Sequence, residues 1–319
     1  MNESVTVSLN QAYTTMRFLL FLFSLILLAS ENSGYIAAQD IDQLYQAAES
    51  GNVEAQWQLG VAYANGHGIK ENHEMALKWF LLAAEQGLAD AQYNLGGMYY
   101  NAKGVPQNYP EALKWFRLAA EQGHAHAQGS LGYMYYNGEG GPKNYQEALR
   151  WWKLTAEQGH ARAQRNLGVM YENGRGVSEN YQEAMKWYLR AAEQGDTTAQ
   201  RNLGNMYGDG KGVPKNEQEA MKWYELIAEQ GDPSDHYSLG MKYMSKRQFP
   251  NDGDDCSDCN YFNVRAYAWL SIAATEGHQL ALAQKTSLRE SHMTANQIAE
   301  AQNLAIEILR RIQSAHNNQ

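Results

Sequence analysis

Two cysteines, Cys256 and Cys259, are the only thiols in the 319 residues, and they stand within an acidic run, Asn251-Asp-Gly-Asp-Asp-Cys256-Ser-Asp-Cys259. In an oxidising compartment such a pair closes a short-range disulfide, which is the expectation for this loop. A redox role is disfavoured, because the four neighbouring aspartates raise the thiol pKa and suppress the thiolate. A metal-binding loop is the alternative, but zinc needs two more ligands that no second Cys or His pair supplies. Calcium would lack the spacing and terminal glutamate of an EF-hand. His124 and His160 follow equivalent turn glycines, which points to local capping, and His126 is the one neighbour that could pair with His124. No metal site or cofactor is expected from them. Arg201 and Asn205, one helical turn apart, could clamp a carboxylate on an extended peptide. No serine or cysteine nucleophile has a distinctive histidine context, and no phosphate-binding loop is present. The residues predict binding chemistry without catalysis.

These residues ride on a strict repeat. Leu-Gly recurs at Leu59-Gly60, Leu95-Gly96, Leu131-Gly132, Leu167-Gly168, Leu203-Gly204 and Leu239-Gly240, each step being 36 residues. The same beat carries Gly51, Gly87, Gly123, Gly159, Gly195 and Gly231, and the tryptophans Trp79, Trp115, Trp151, Trp187 and Trp223. Ala91, Leu95 and Tyr99 sit four apart and share one helical face. A loop such as Lys103-Gly104-Val105-Pro106 ends that helix. A second helix begins at Asn108, Asn144, Asn180 or Asn216, each with Glu three residues on. That spacing predicts a capping box, the Asn oxygen taking one orphan amide and the Glu reaching back to another. The first repeat has Met75 in place of the Glu. Gly123 and its equivalents close the second helix in the left-handed conformation. Two short helices cannot bury their apolar faces alone, whereas stacked pairs can.

The pattern A-x-x-x-L-G-x-x-Y, then G-x-G-V, then A-x-x-W and A-A-x-x-G, resembles the Sel-one-like repeat family, a longer-looped relative of tetratricopeptide repeats. The resemblance spans about residues 40 to 280, with five motif elements in register. It implies an all-α fold, a right-handed α/α superhelical solenoid of about six hairpins with a C-terminal capping helix. It further implies an adaptor for protein complexes or signalling, and exported bacterial members that sit in the envelope or face host cells. The expected domains are a signal peptide over residues 1–38 and a lead-in helix within 39–54, placed at Ile41 to Ser50. Repeats follow over 55–278, the last with an acidic insertion at 245–262. A C-terminal cap fills 279–319, its helix opened by Thr294-x-x-Gln297 and sealed by Ile298, Ala301, Ala305, Ile308 and Ile312.

Positions that vary along one face mark where a partner would sit. On each first helix they fall at i, i+4 and i+7. By resemblance to tetratricopeptide repeats, this stripe lines a concave groove. The partner-binding residues expected from it are Trp57, Tyr93, Tyr100, Tyr133, Tyr136, Arg165, Glu172, Arg201, Asn205 and Tyr237, aromatic in the first half and richer in hydrogen-bond donors in the second. Trp, Tyr and Arg are the side chains that most often anchor interfaces. The competing expectation is that the tyrosines pack between repeats and Arg165 is a solvated charge.

Phe18 to Ala29 is an apolar run broken only by Ser24. Twelve helical residues rise about 18 Å, short of a bilayer's hydrocarbon core. Behind Arg17 this run reads as a secretory signal, with cleavage expected between Gly34 and Gln39, Ala38 being the last residue removed. Met16-Arg17 makes its more ordinary beginning. An uncleaved anchor is the alternative, and the only membrane contact expected. The net charge is −9, and no basic run exists to neutralise phosphates, so nucleic acid is not an expected partner.

The function expected is a non-enzymatic scaffold, periplasmic or secreted, that binds a protein or extended peptide in its groove. The alternatives are a host-receptor-binding surface factor and a β-lactam- or peptidoglycan-directed hydrolase. The hydrolase is suggested by a cysteine-rich branch of the resembled family. That branch carries paired cysteines in each repeat, whereas this chain has one pair in all.

Overall fold

The computed structural model describes residues 38–246 and 257–317. Among these residues the chain forms fifteen α-helices and no strand. It divides after Asn144 into two compact units. The first holds α1 (Ala38–Glu49), α2 (Val53–Asn65), α3 (His73–Glu85), α4 (Ala89–Asn101), α5 (Tyr109–Glu121) and α6 (Ala125–Asn137). The second opens with α7 (Tyr145–Glu157), α8 (Ala161–Glu172), α9 (Tyr181–Glu193), α10 (Thr197–Asp209) and α11 (Glu217–Ala228). It continues with α12 (Pro233–Lys246), α13 (Ser257–Thr275), α14 (Gln279–His292) and α15 (Ala295–Asn317). The all-α repeat architecture is as the periodicity predicts. The N-terminal apolar run, Cys256 and most of the acidic insertion lie outside the described residues.

Each hairpin is set by its caps. Asn108 accepts the Glu111 amide at 3.2 Å, and Asn72, Asn180 and Asn216 do the same for Met75, Glu183 and Glu219. The predicted box is only half formed. The amide of each capping Asn donates instead to the tyrosine carbonyl ending the first helix, as Asn108 does to Tyr99 at 2.9 Å. The glutamates turn outward to Lys114, Lys186 and Lys222 on the next turn. That explains why Met75 can replace Glu without loss of the cap. At the other end, Gly123 takes φ +90°, and the next amide, of His124, returns to the Ala119 carbonyl at 3.2 Å.

The hairpins close on their Leu-Gly pairs. Leu59, Leu95, Leu131, Leu167 and Leu203 are buried, and Gly60, Gly96, Gly168 and Gly204 each admit an aromatic ring from the second helix. A Cβ on Gly168 would stand 2.4 Å from Tyr188 Cδ1, so the close approach requires glycine there.

A buried polar file, absent from the sequence expectations, links successive hairpins. Gln56, Gln92 and Gln128 donate to the Ala48, Ala84 and Ala120 carbonyls at the end of the preceding helix, at 3.1–3.2 Å. Gln164 and Gln200 repeat the bond in the second unit. Each thereby gives a second donor to a carbonyl in the helix's last turn that already accepts the amide of the turn glycine. Gln86, Gln122 and Gln194, from the turns, donate in turn to Gln56, Gln92 and Gln164. In α12 the position is His236, whose Nε2 meets the Ala228 carbonyl at 3.0 Å and whose Nδ1 meets Glu276 at 2.6 Å.

The last helices close the second unit. Thr294 and Gln297 exchange bonds at the start of α15, with the Thr294 amide donating to Gln297 at 2.8 Å. Ala301, Ala305, Ile308 and Ile312 are buried and Ile298 is half-buried, all packed in the cluster around Trp269.

Candidate partner-binding surface

The first helices of the hairpins carry the expected stripe, and the structure splits its residues into two groups. In the first unit, Trp57 on α2 is half-buried, and its indole N–H donates to Asn94 on α4 at 3.0 Å. Tyr93 on α4 stacks on His124, ring centroids 4.7 Å apart and planes 26° off parallel. His124 caps α6 by accepting the Ala127 amide on Nδ1 at 3.1 Å, and its Nε2 faces Asp90 at 3.4 Å. The capping role expected of this histidine is present, whereas the His160 side chain makes no cap bond. Tyr100 packs against Tyr109 and Phe116. Burial pushes its hydroxyl's pKa up, and a hydrogen bond with Glu139 adds to the shift. Tyr136 is half-buried, and Tyr133 stands out at 49% exposure.

In the second unit, Arg165 on α8 meets Asp196 at 3.6 Å, and Asp196 in turn caps α10 by accepting the Ala199 amide. Glu172 accepts the Tyr188 hydroxyl at 2.6 Å. Tyr237 on α12 stacks on His278, centroids 4.1 Å apart and 16° off parallel. Arg201 and Asn205 on α10 are exposed. The Asn205 side-chain oxygen accepts the Tyr224 hydroxyl, whose pKa is pushed up to about 12 by burial, the Asp209 and Glu217 charges adding to it.

A rule emerges from the pairs. In three of the six repeats the stripe residue two before the Leu reaches the residue capping the next first helix: Tyr93 to His124, Arg165 to Asp196, Tyr237 to His278. The first two pairs are 31 residues apart and the third is 41, the insertion accounting for the extra ten. Half of the expected binding residues thus fasten one hairpin to the next. Tyr133, Arg201 and Asn205 are left facing outward. The constant 31-residue separation is the sequence signal that could have found these fastenings. Among the described residues no cluster of three or more His, Cys, Asp or Glu side chains could hold a metal ion.

Helical hairpins fastened in this way define a helical-repeat protein that presents a side-chain face. The Sel1 repeat model matches residues 53–88, 89–124, 125–160, 161–196, 197–232 and 263–278, and the chain belongs to the Sel1 repeat family. The sixth match covers only the second helix, because the insertion interrupts that repeat. Sel1 repeats mediate protein–protein interactions. The crystal structure of a Sel1 repeat protein from Oxalobacter formigenes is 34% identical, over 77% of this chain and 95% of that one, with a TM-score of 0.61. A protective antigen of uropathogenic Escherichia coli strains, displaying an SLR fold, is 26% identical over 86% of this chain and 80% of its own, with a TM-score of 0.50. Comparison with curated proteins returned no match.

Proposed function

We propose that this protein is a non-enzymatic scaffold holding another protein, or an extended peptide, on the outward faces of its first helices. The carrying observation is that the stripe sheds its structural members into inter-repeat contacts and still leaves Tyr133, Arg201 and Asn205 exposed. Tyr and Arg are the residue types that contribute most when a partner covers them. Crosslinked capture with the full-length protein tests this. A partner retained by wild type should be lost about tenfold or more by Tyr133→Ala with Arg201→Glu, at unchanged helicity. Equal capture by both proteins would remove the stripe from the binding surface.

The scaffold acts after export, in the periplasm or outside the cell, and Cys256 and Cys259 form a disulfide there. The apolar run Phe18 to Ala29 supports export, as does the likeness to a protective antigen. The intact mass of protein recovered from the envelope or medium should lack the residues up to about Ala38. It should also be two hydrogens lighter than its reduced form. Recovery of the protein in the cytosol with its leader and both thiols intact would refute the proposal.

A further inference from the structure

The repeat breaks its own packing rule once in the second unit, and a cleft opens where it does. Three residues after each Leu, the first helices bury an apolar side chain: Ala62, Met98, Met134, Met170 and Met206 are all 5% exposed or less. In α12 that position is Lys242, half-buried, with its ammonium 3.4 Å from the centroid of the Tyr224 ring. Two adjoining hollows share Lys242, Tyr224 and Asn205. One, of about 300 Å³, runs toward Asp209, Glu217 and Lys246. The other, of about 180 Å³, is lined by Arg201, Ile227 and Leu239 among others.

The charges in this cleft are unevenly committed. Glu217 is held by Lys246 at 2.9 Å and by Lys215 at 3.2 Å. Asp235 accepts the Asp232 amide, and Asp209 is exposed at the mouth. Among the described residues, Arg201 and Lys242 face no carboxylate within ion-pair distance. Burial, with Lys246 and Arg201 close by, holds the Lys242 amine below the usual lysine range. An incoming anion would relieve that cost. The Asn205 oxygen is occupied by Tyr224, which leaves its amide N–H groups to donate.

We propose that the cleft between α10, α11 and α12 receives an acidic side chain from an extended segment of the protein partner, its carboxylate bound by Lys242, Arg201 and Asn205. This rests on the scaffold reading above and names the chemistry of one of its contacts. A single negative charge fits the surroundings better than a doubly charged phosphate, which Asp209, Glu217 and Asp235 would repel. Ile227, Leu239 and the Tyr224 ring supply apolar wall for the stem of a glutamate.

The test uses fluorescence anisotropy with the full-length protein and a labelled, capped octapeptide carrying two adjacent glutamates beside leucine. Its glutamine counterpart should bind about tenfold more weakly or worse, the expected loss of a charge-assisted bond. Lys242→Met should weaken the glutamate peptide about tenfold while leaving the melting temperature unchanged or higher, because Met is what four of the other five hairpins bury there. Equal binding of both peptides, or full binding by Lys242→Met, would overturn the proposal. So would displacement by inorganic phosphate at the concentration at which unlabelled peptide displaces. Partner capture separates the two readings: retention by Lys242→Met, with loss in the Tyr133 and Arg201 variant, keeps the scaffold and removes the cleft.

Discussion

Trp269→Ala is expected to destabilise the C-terminal unit by about 3–5 kcal/mol. Trp269 is the repeat tryptophan of the sixth hairpin, carried ten residues downstream of the 36-residue beat by the insertion. It is fully buried, in a cluster with Tyr243, Phe262, Leu270, Leu288 and Ile308, and its ring lies 5.4 Å from that of His236. That cluster joins α12 and α13 to α14 and α15, so the cavity left by alanine removes contacts from all four helices. Urea unfolding followed by hydrogen exchange on α14 and α15 checks this. Because the chain has two compact units, the relevant transition is the one reporting residues after Tyr145. A wild-type midpoint for those helices would show that the cap does not depend on the tryptophan.

Gln164→Leu is expected to cost about 1–3 kcal/mol although it nearly conserves volume. The loss is polar. The Ala156 carbonyl loses one donor at 3.1 Å, and Gln194 loses one acceptor at 2.7 Å. The Ala156 carbonyl keeps the Gly159 amide and Gln194 keeps the Arg190 carbonyl, so the cost is that of two lost hydrogen bonds at a buried position. Gln230→Leu is the control. It is exposed, its amide donates only to the Leu226 carbonyl one turn back, and its loss should stay within about 0.5 kcal/mol. Matching losses for the two variants by chemical denaturation would mean that the buried file adds nothing beyond helix propensity.

The architecture was legible because it is written in periods. Leu59, Gly60 and Trp79 recur at fixed steps, and fixed steps translate directly into faces and turns. The buried glutamines were equally periodic and still went unread. A polar residue three before the repeated leucine looks like a solvated edge until the carbonyl it serves, eight residues back on another helix, is in place. The capping Glu misled for a related reason: its predicted target, the Asn amide, is already taken by a tyrosine carbonyl nine residues upstream. In the stripe, residue type pointed to binding for Tyr93, Arg165 and Tyr237, and geometry assigned them to fastening. Lys242 stands in a register that is otherwise buried and apolar, which was visible in the sequence, but only burial made the departure meaningful.

The glutamine links also constrain how such a chain can change in length. Gln86 to Gln56 and Gln122 to Gln92 each close over 30 residues. A duplication or deletion of one whole repeat reproduces these bonds at the new junction, while a shift of a single residue within a helix would misplace a buried donor. Growth by whole modules is therefore the mutational path of least resistance. The sixth hairpin shows the other tolerated route. Its ten extra residues enter between Tyr243 and Ala266, where α13 runs 19 residues against 13 in α9, and the corresponding link, His236 to Glu276, still closes, now over 40.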